Sequence, residues 1–162
     1  FTKYAIRLPA VSVPLEMKQI KQAGPARTLV MGPARKPPVP TEPTDADFDA
    51  AAVWQVTLPP ESTQNTSVHK VFVKVDYVGD VARAYVGDKF VEDDFYSGIP
   101  WEMGMKRFQP EVAEKGLTIK ILPLRKDSPV WLEKQAIPTF DANGEALAVR
   151  SINAGPLYQV DV

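Results

Sequence analysis

Residues 69–77 alternate strictly. Val71, Val73, Val75 and Tyr77 occupy one set of positions, and Lys70, Lys74 and Asp76, with Phe72, occupy the other. Successive side chains of a strand point to opposite faces, so β-branched residues interleaved with lysines make a strand with one dry and one wet face. The same period of two recurs in residues 4–8, where Tyr4, Ile6 and Leu8 share a face. It recurs again in residues 52–58, where Ala52, Trp54, Val56 and Leu58 face one way. Further strands are expected at residues 81–86, 90–91, 117–122, 130–133, 146–150 and 157–162. Helical periodicity is scarce, and 16 prolines in 162 residues weigh against a helix bundle. The expected fold is therefore all-β, with eight to ten short antiparallel strands in a jelly-roll β-sandwich that forms a single domain over residues 1–162.

Turn residues separate the expected strands. Gly87-Asp88 joins two apolar runs and suits a tight hairpin, Gly79-Asp80 is a second tight connection, and Asn143-Gly144 a third that can adopt positive φ. The prolines are partly concentrated, since Pro33, Pro37, Pro38, Pro40 and Pro43 fall within residues 32–44. Proline has no N–H to give a ladder, so this stretch is expected to be an extended, polyproline-like loop or linker. Residues 45–52 place acidic side chains before alanines, which allows a short helical turn. The first 32 residues, with short apolar runs at 11–14 and 28–31, suit either sandwich strands or an arm reaching another domain. Asn65-Thr66-Ser67 fits a glycosylation sequon and reads as a loop.

Composition then removes classes of chemistry. There is no cysteine, so disulfides, thiolate metal sites and a cysteine nucleophile are excluded. His69 is the one histidine, too few for a site that needs two imidazoles. A net charge of −1 offers no electrostatic footprint for nucleic acid, and no apolar run approaches the roughly 20 residues of a membrane span. The chain begins at Phe1 without a signal peptide, as a trimmed mature protein or a piece of a longer one would.

One stretch is more specific. Tyr77-Val-Gly-Asp80 leads into Ala82-Arg-Ala-Tyr-Val-Gly87, then an aromatic at Phe90, then Asp94-Phe-Tyr-Ser-Gly98, Pro100-Trp-Glu-Met-Gly104 and Lys106-Arg-Phe108. This run resembles the galactose-binding-like jelly-roll domain that accompanies the catalytic barrel in bacterial β-galactosidases of glycoside hydrolase family 35. Leu117-Thr-Ile-Lys-Ile-Leu-Pro-Leu-Arg125 looks like a late strand of such sandwiches. The likeness covers residues 70–125, about a third of the chain. It departs from the pattern at the hairpin, where Gly87-Asp88 stands in place of Asn-Gly. The glutamates of such enzymes belong to a (β/α)8 barrel of roughly 250 residues, which this chain cannot form, so no catalytic residue carries over. The resemblance implies a non-catalytic accessory module that packs on the barrel of its parent chain. It also implies a periplasmic or secreted setting, with oligo- or polysaccharide as a further partner. A carbohydrate-binding module gripping a glycan directly is the alternative, and an enzyme active alone is the third.

Candidate sites follow from side-chain chemistry. Trp101, with Tyr96, Phe95 and Arg107, could stack on the C–H face of a pyranose while Asp93, Asp94 and Glu102 accept from its hydroxyls. In the competing reading, Phe95 and Trp101 fill the core and Arg107 pairs with an acid. Asp93 and Asp94, with Asp80, Asp88 or Glu92, could offer oxygens to a structural calcium, which such sandwiches often carry; solvated turn carboxylates are the alternative. No other cofactor is implied. Glu92, Glu102, Glu111 and Glu114 could supply a glycosidase pair, or simply be surface charge. His69 with Tyr77 or Tyr85 could act as a lyase base and acid, or sit hydrogen-bonded at a strand start. Trp54 and Trp131 fall in strand patterns, which points to core or domain-interface packing.

Overall fold

The alternation resolves into antiparallel sheets whose dry positions share one core cluster. The structure is a computed structural model that describes residues 7–8, 11–32, 39–59 and 68–159. Its strands are β1 (Glu16–Lys21), β2 (Ala52–Thr57), β3 (Lys70–Val78), β4 (Val81–Val86), β5 (Lys89–Phe95), β6 (Trp101–Gly104), β7 (Leu117–Ile121), β8 (Leu124–Arg125), β9 (Glu145–Ala146) and β10 (Ala148–Leu157). Every pairing between them is antiparallel. One sheet runs β1-β2-β7-β4-β5, a second β10-β3-β6, and β8 pairs with β9. The fold is all-β.

The registers explain which residues are dry. In the five-stranded sheet, Trp54, Ile119 and Ala84 lie in one row across β2, β7 and β4, and Ala52, Ile121 and Ala82 lie in the next. In the three-stranded sheet, Ile152, Val75 and Trp101 form a row across β10, β3 and β6. All nine side chains are buried in one cluster. Removing such a side chain from water contributes about 1.5–3 kcal/mol for the larger aliphatic residues, which sets the pairing of the sheets' inner faces. The connection at Gly79-Asp80 is tight, as expected, but it carries the chain from one sheet to the other instead of closing a hairpin. Gly87-Asp88 does close a hairpin, between β4 and β5, with Gly87 at φ 59°.

Ahead of β2 the chain is stapled to the strands that follow. Arg27 and Asp80 form an ion pair at 2.9 Å, with side chains only 6% and 9% exposed. Arg83 reaches out from β4 to Asp45 at 2.6 Å, and its guanidinium stacks 4.2 Å from the centre of the Phe48 ring. The expected helical turn is present as a 3-10 turn, Asp45–Ala50. Asp47 accepts from the Thr44 backbone N–H at 2.7 Å and the Thr44 hydroxyl at 2.8 Å. These hydrogen bonds, the hydroxyl's foremost, hold its carboxyl below the usual range.

Several expectations are corrected. In the proline-rich stretch, residues 33–38 lie outside the described residues, and the described ends agree with the loop alternative. Met31 bridges Pro40, Gly32 N–H donates to Val39 O and Thr41 N–H donates to Val30 O, so the two described stems pair. Residues 130–133 form no strand; Trp131 is 80% exposed there. Strand β6 falls where only a motif was read. The expected strand at 4–8 has residues 4–6 outside the described residues, the expected strand at 157–162 has 160–162 outside, and the sequon Asn65-Thr66-Ser67 lies wholly outside them.

Candidate functional site

The residues singled out from the sequence fall on β5, the turn after it, β6 and the 3-10 turn Met105–Phe108. Alternation along β5 decides where its acids go. Glu92 and Asp94 pair with Ala84 and Ala82, both fully buried, so these carboxylates face the core side at the edge of the five-stranded sheet. Asp93 pairs with Arg83 and faces the opposite way. Side chains of consecutive strand residues diverge, so Asp93 and Asp94 do not converge on one ion. Among the described residues, no group of three or more metal-binding side chains is assembled.

Trp101 and Tyr96 are not on the surface. Trp101 is 5% exposed, inward on β6 opposite Val75. Tyr96 donates its hydroxyl to Ala136 O at 2.8 Å and meets the Tyr77 ring edge-on at 5.7 Å. Both rings belong to the core, so the aromatic platform expected from Trp101 and Tyr96 is not formed. The competing reading holds for Trp101 and fails for Phe95, which is exposed.

Asp94 keeps a polar partner at this edge. The Tyr77 hydroxyl donates to Asp94 Oδ2 at 2.8 Å, and burial pushes the Tyr77 ionisation far above its ordinary value. Burial likewise raises the Asp94 carboxyl, against the hydrogen bond from Tyr77 and with the help of neighbouring Asp93. A carboxyl whose folded pKa is raised favours folding in its protonated form. That contribution is complete below about pH 4 and is lost as pH rises through the raised value. Asp94→Asn retains an acceptor for Tyr77 and cannot ionise. Its melting temperature is expected to match the native chain's near pH 3 and to exceed it at pH 7. Equal losses at both pH values would refute this.

Arg107 and Glu102 lie outside the core. Arg107 pairs with Glu92, and its guanidinium sits 4.6 Å from the centre of the Phe108 ring. Glu102 accepts from Lys74 at 2.8 Å. Both line one shallow depression of about 500 Å3 on the outer face of the three-stranded sheet, together with Phe72 of β3. Sequence reading did not single out Phe72, although an aromatic alone among Lys70, Lys74 and Asp76 was the available signal.

The remaining constellations are dispersed. His69 precedes β3, where its N–H donates to Leu157 O. Tyr77 lies eight residues along the strand, roughly 26 Å away at about 3.3 Å per residue. Tyr85 is on the other sheet, edge-on to Phe90 and beneath Lys120. Glu111 and Glu114 are exposed on the one-turn helix α1 (Glu111–Lys115).

A second feature is apolar. The turn after β5 packs on residues 134–136, where Gly98 adopts φ 84° and a Cβ on it would lie 2.4 Å from Ala136 Cβ. Only glycine fits so close an approach at that dihedral. Ile99, 73% exposed, directly follows Gly98, and exposed Ile137 directly follows Ala136; Phe95 and Trp131 are exposed earlier in the same two segments. No protein-family model, no curated protein and no solved structure matches this chain.

Proposed function

We propose that this chain is a non-catalytic jelly-roll module of a carbohydrate-active enzyme similar to the family 35 β-galactosidases, and that it packs on the catalytic barrel of its parent protein. The observation that carries this reading is the exposed apolar set Phe95, Ile99, Trp131 and Ile137, half of it within the very segment that resembles those enzymes. An aromatic side chain carries about 150–250 Å2, so Trp131 and Phe95 alone present on the order of 250 Å2 to solvent. Contacts between domains of one chain start near 600 Å2, well below what obligate dimers bury. The five- and three-stranded sheets facing each other across one core support the jelly-roll reading. The mechanism is steric: the sandwich covers apolar barrel surface and shapes the rim of the substrate cleft.

The test is a binding measurement between this chain and the barrel encoded in the same reading frame. Ile99→Ser with Trp131→Ser is expected to weaken association by about tenfold or more, since a buried aromatic anchor dominates such contacts. The melting temperature of the free module is expected to stay unchanged. A reading frame with no barrel, or undiminished association of the double variant, would overturn the proposal. A second reading, direct glycan binding, draws support from the depression over Phe72.

A further inference from the structure

Phe72 points to the outer face of β3, where its cross-strand neighbours are Gly104 on β6 and Gly155 on β10. No side chain flanks the ring along that row. Its Cε1 lies 3.6 Å from the position a Gly104 Cβ would take, so the ring leans into the space that glycine leaves. The depression around it is lined by Lys70, Phe72, Glu102, Gly104, Lys106 and Arg107. Glu102 and Arg107 are held in place by Lys74 and Glu92. Lys70 and Lys106 form no ion pair among the described residues. The site therefore combines an apolar ring, two free ammonium groups, a guanidinium and one carboxylate.

We propose that this depression binds an acidic saccharide, a pyranose that carries a carboxylate or sulfate group. The Phe72 ring meets the C–H face of the sugar. Lys70 and Lys106 meet the anionic substituent, and Glu102 and Arg107 accept from and donate to hydroxyls. The volume is that of a small-ligand cleft. Lys70, Lys106 and Arg107 outnumber the single carboxylate Glu102, a local positive excess that suits one anionic substituent, whereas the chain's net charge of −1 supplies no wider field to follow a phosphate backbone. The inference deepens the glycan-binding reading and is independent of the barrel contact.

Calorimetric titration of the whole chain tests it with four probes: a galacturonic acid trisaccharide, a sulfated galactose trisaccharide, the neutral galactose trisaccharide and a short single-stranded oligonucleotide. At least one acidic sugar is expected to bind about tenfold or more tighter than the neutral one and to weaken as salt is added. Phe72→Ala is expected to cost about tenfold, in line with a single lost stacking partner. Gly104→Val fills the depression without stressing the backbone, since Gly104 is extended at φ −81° and ψ 114°. It is expected to abolish binding and leave the melting temperature within about 2 °C. Equal binding of the neutral sugar overturns the acidic assignment and leaves glycan binding standing. No sugar binding, binding indifferent to both variants, or preference for the oligonucleotide overturns the site itself.

Discussion

Trp101→Ala is expected to cost about 3–5 kcal/mol of folding stability, the range for removing a fully packed tryptophan from a core. Trp101 is inward on a four-residue strand, opposite Val75 and one row from Met103 and Val73, which are fully buried. Little backbone is available there to collapse into the void. For a chain of this length each kcal/mol moves the melting temperature by about 2–4 °C, so a fall of about 10 °C is expected by calorimetry or circular dichroism. The size of the loss separates the two readings of this residue. A surface tryptophan that stacks on sugar would change binding and leave melting within about 2 °C, and that result would return Trp101 to the surface.

Asp80→Ala is expected to cost a similar amount, about 3–5 kcal/mol, for an electrostatic reason. The Asp80 carboxylate and the Arg27 guanidinium are both nearly inaccessible to water. Among the described residues the Arg27 group has one further hydrogen-bond partner, Thr41 O at 3.2 Å. Removing the carboxylate strands a buried positive charge, whereas the backbone bonds of residue 80 to Leu122 and Tyr96 survive in alanine. Replacing both partners, Arg27→Met with Asp80→Leu, is expected to recover most of the loss, because neither charge is then left without its counterpart. Urea titrations of the single and double variants check this. If the double variant is no more stable than Asp80→Ala, the penalty does not come from the unpaired charge.

These residues also show where sequence reading succeeds. β3, β4 and β7 were legible because each alternates dry and wet positions and is bounded by glycine or proline punctuation. β6 was not, because Trp-Glu-Met-Gly offers two alternations at most, too few to register as a period. β10 carries Asn153, Gly155 and Pro156, which have poor strand propensity. It persists because it is an edge strand, where a missing N–H is tolerated. Residues 130–133 look like a strand locally, yet among the described residues no strand offers them a ladder. The tryptophans make the same point. Trp101 and Trp131 each sit in short mixed runs after a proline, and only the pairing of β6 with β3 buries one and leaves the other exposed. The site residues divided accordingly. Arg107 and Glu102 stand out by type and Phe72 as the aromatic among the lysines of β3, while the space around its ring follows only from the glycines opposite it on β6 and β10.

The strand order has a consequence for how the chain is made. β7 lies between β2 and β4, and both neighbours of β3 come later in the chain than β3 itself. A nascent chain that has emerged only as far as α1 therefore holds β2 and β4 with unpaired edges toward each other. It closes the larger sheet only when residues 117–121 slide between them. Non-local closure of this kind is slow and leaves strand edges open to wrong partners meanwhile. Closure of the larger sheet thus waits on a late insertion step, and the interval before it is when a holding chaperone would matter most.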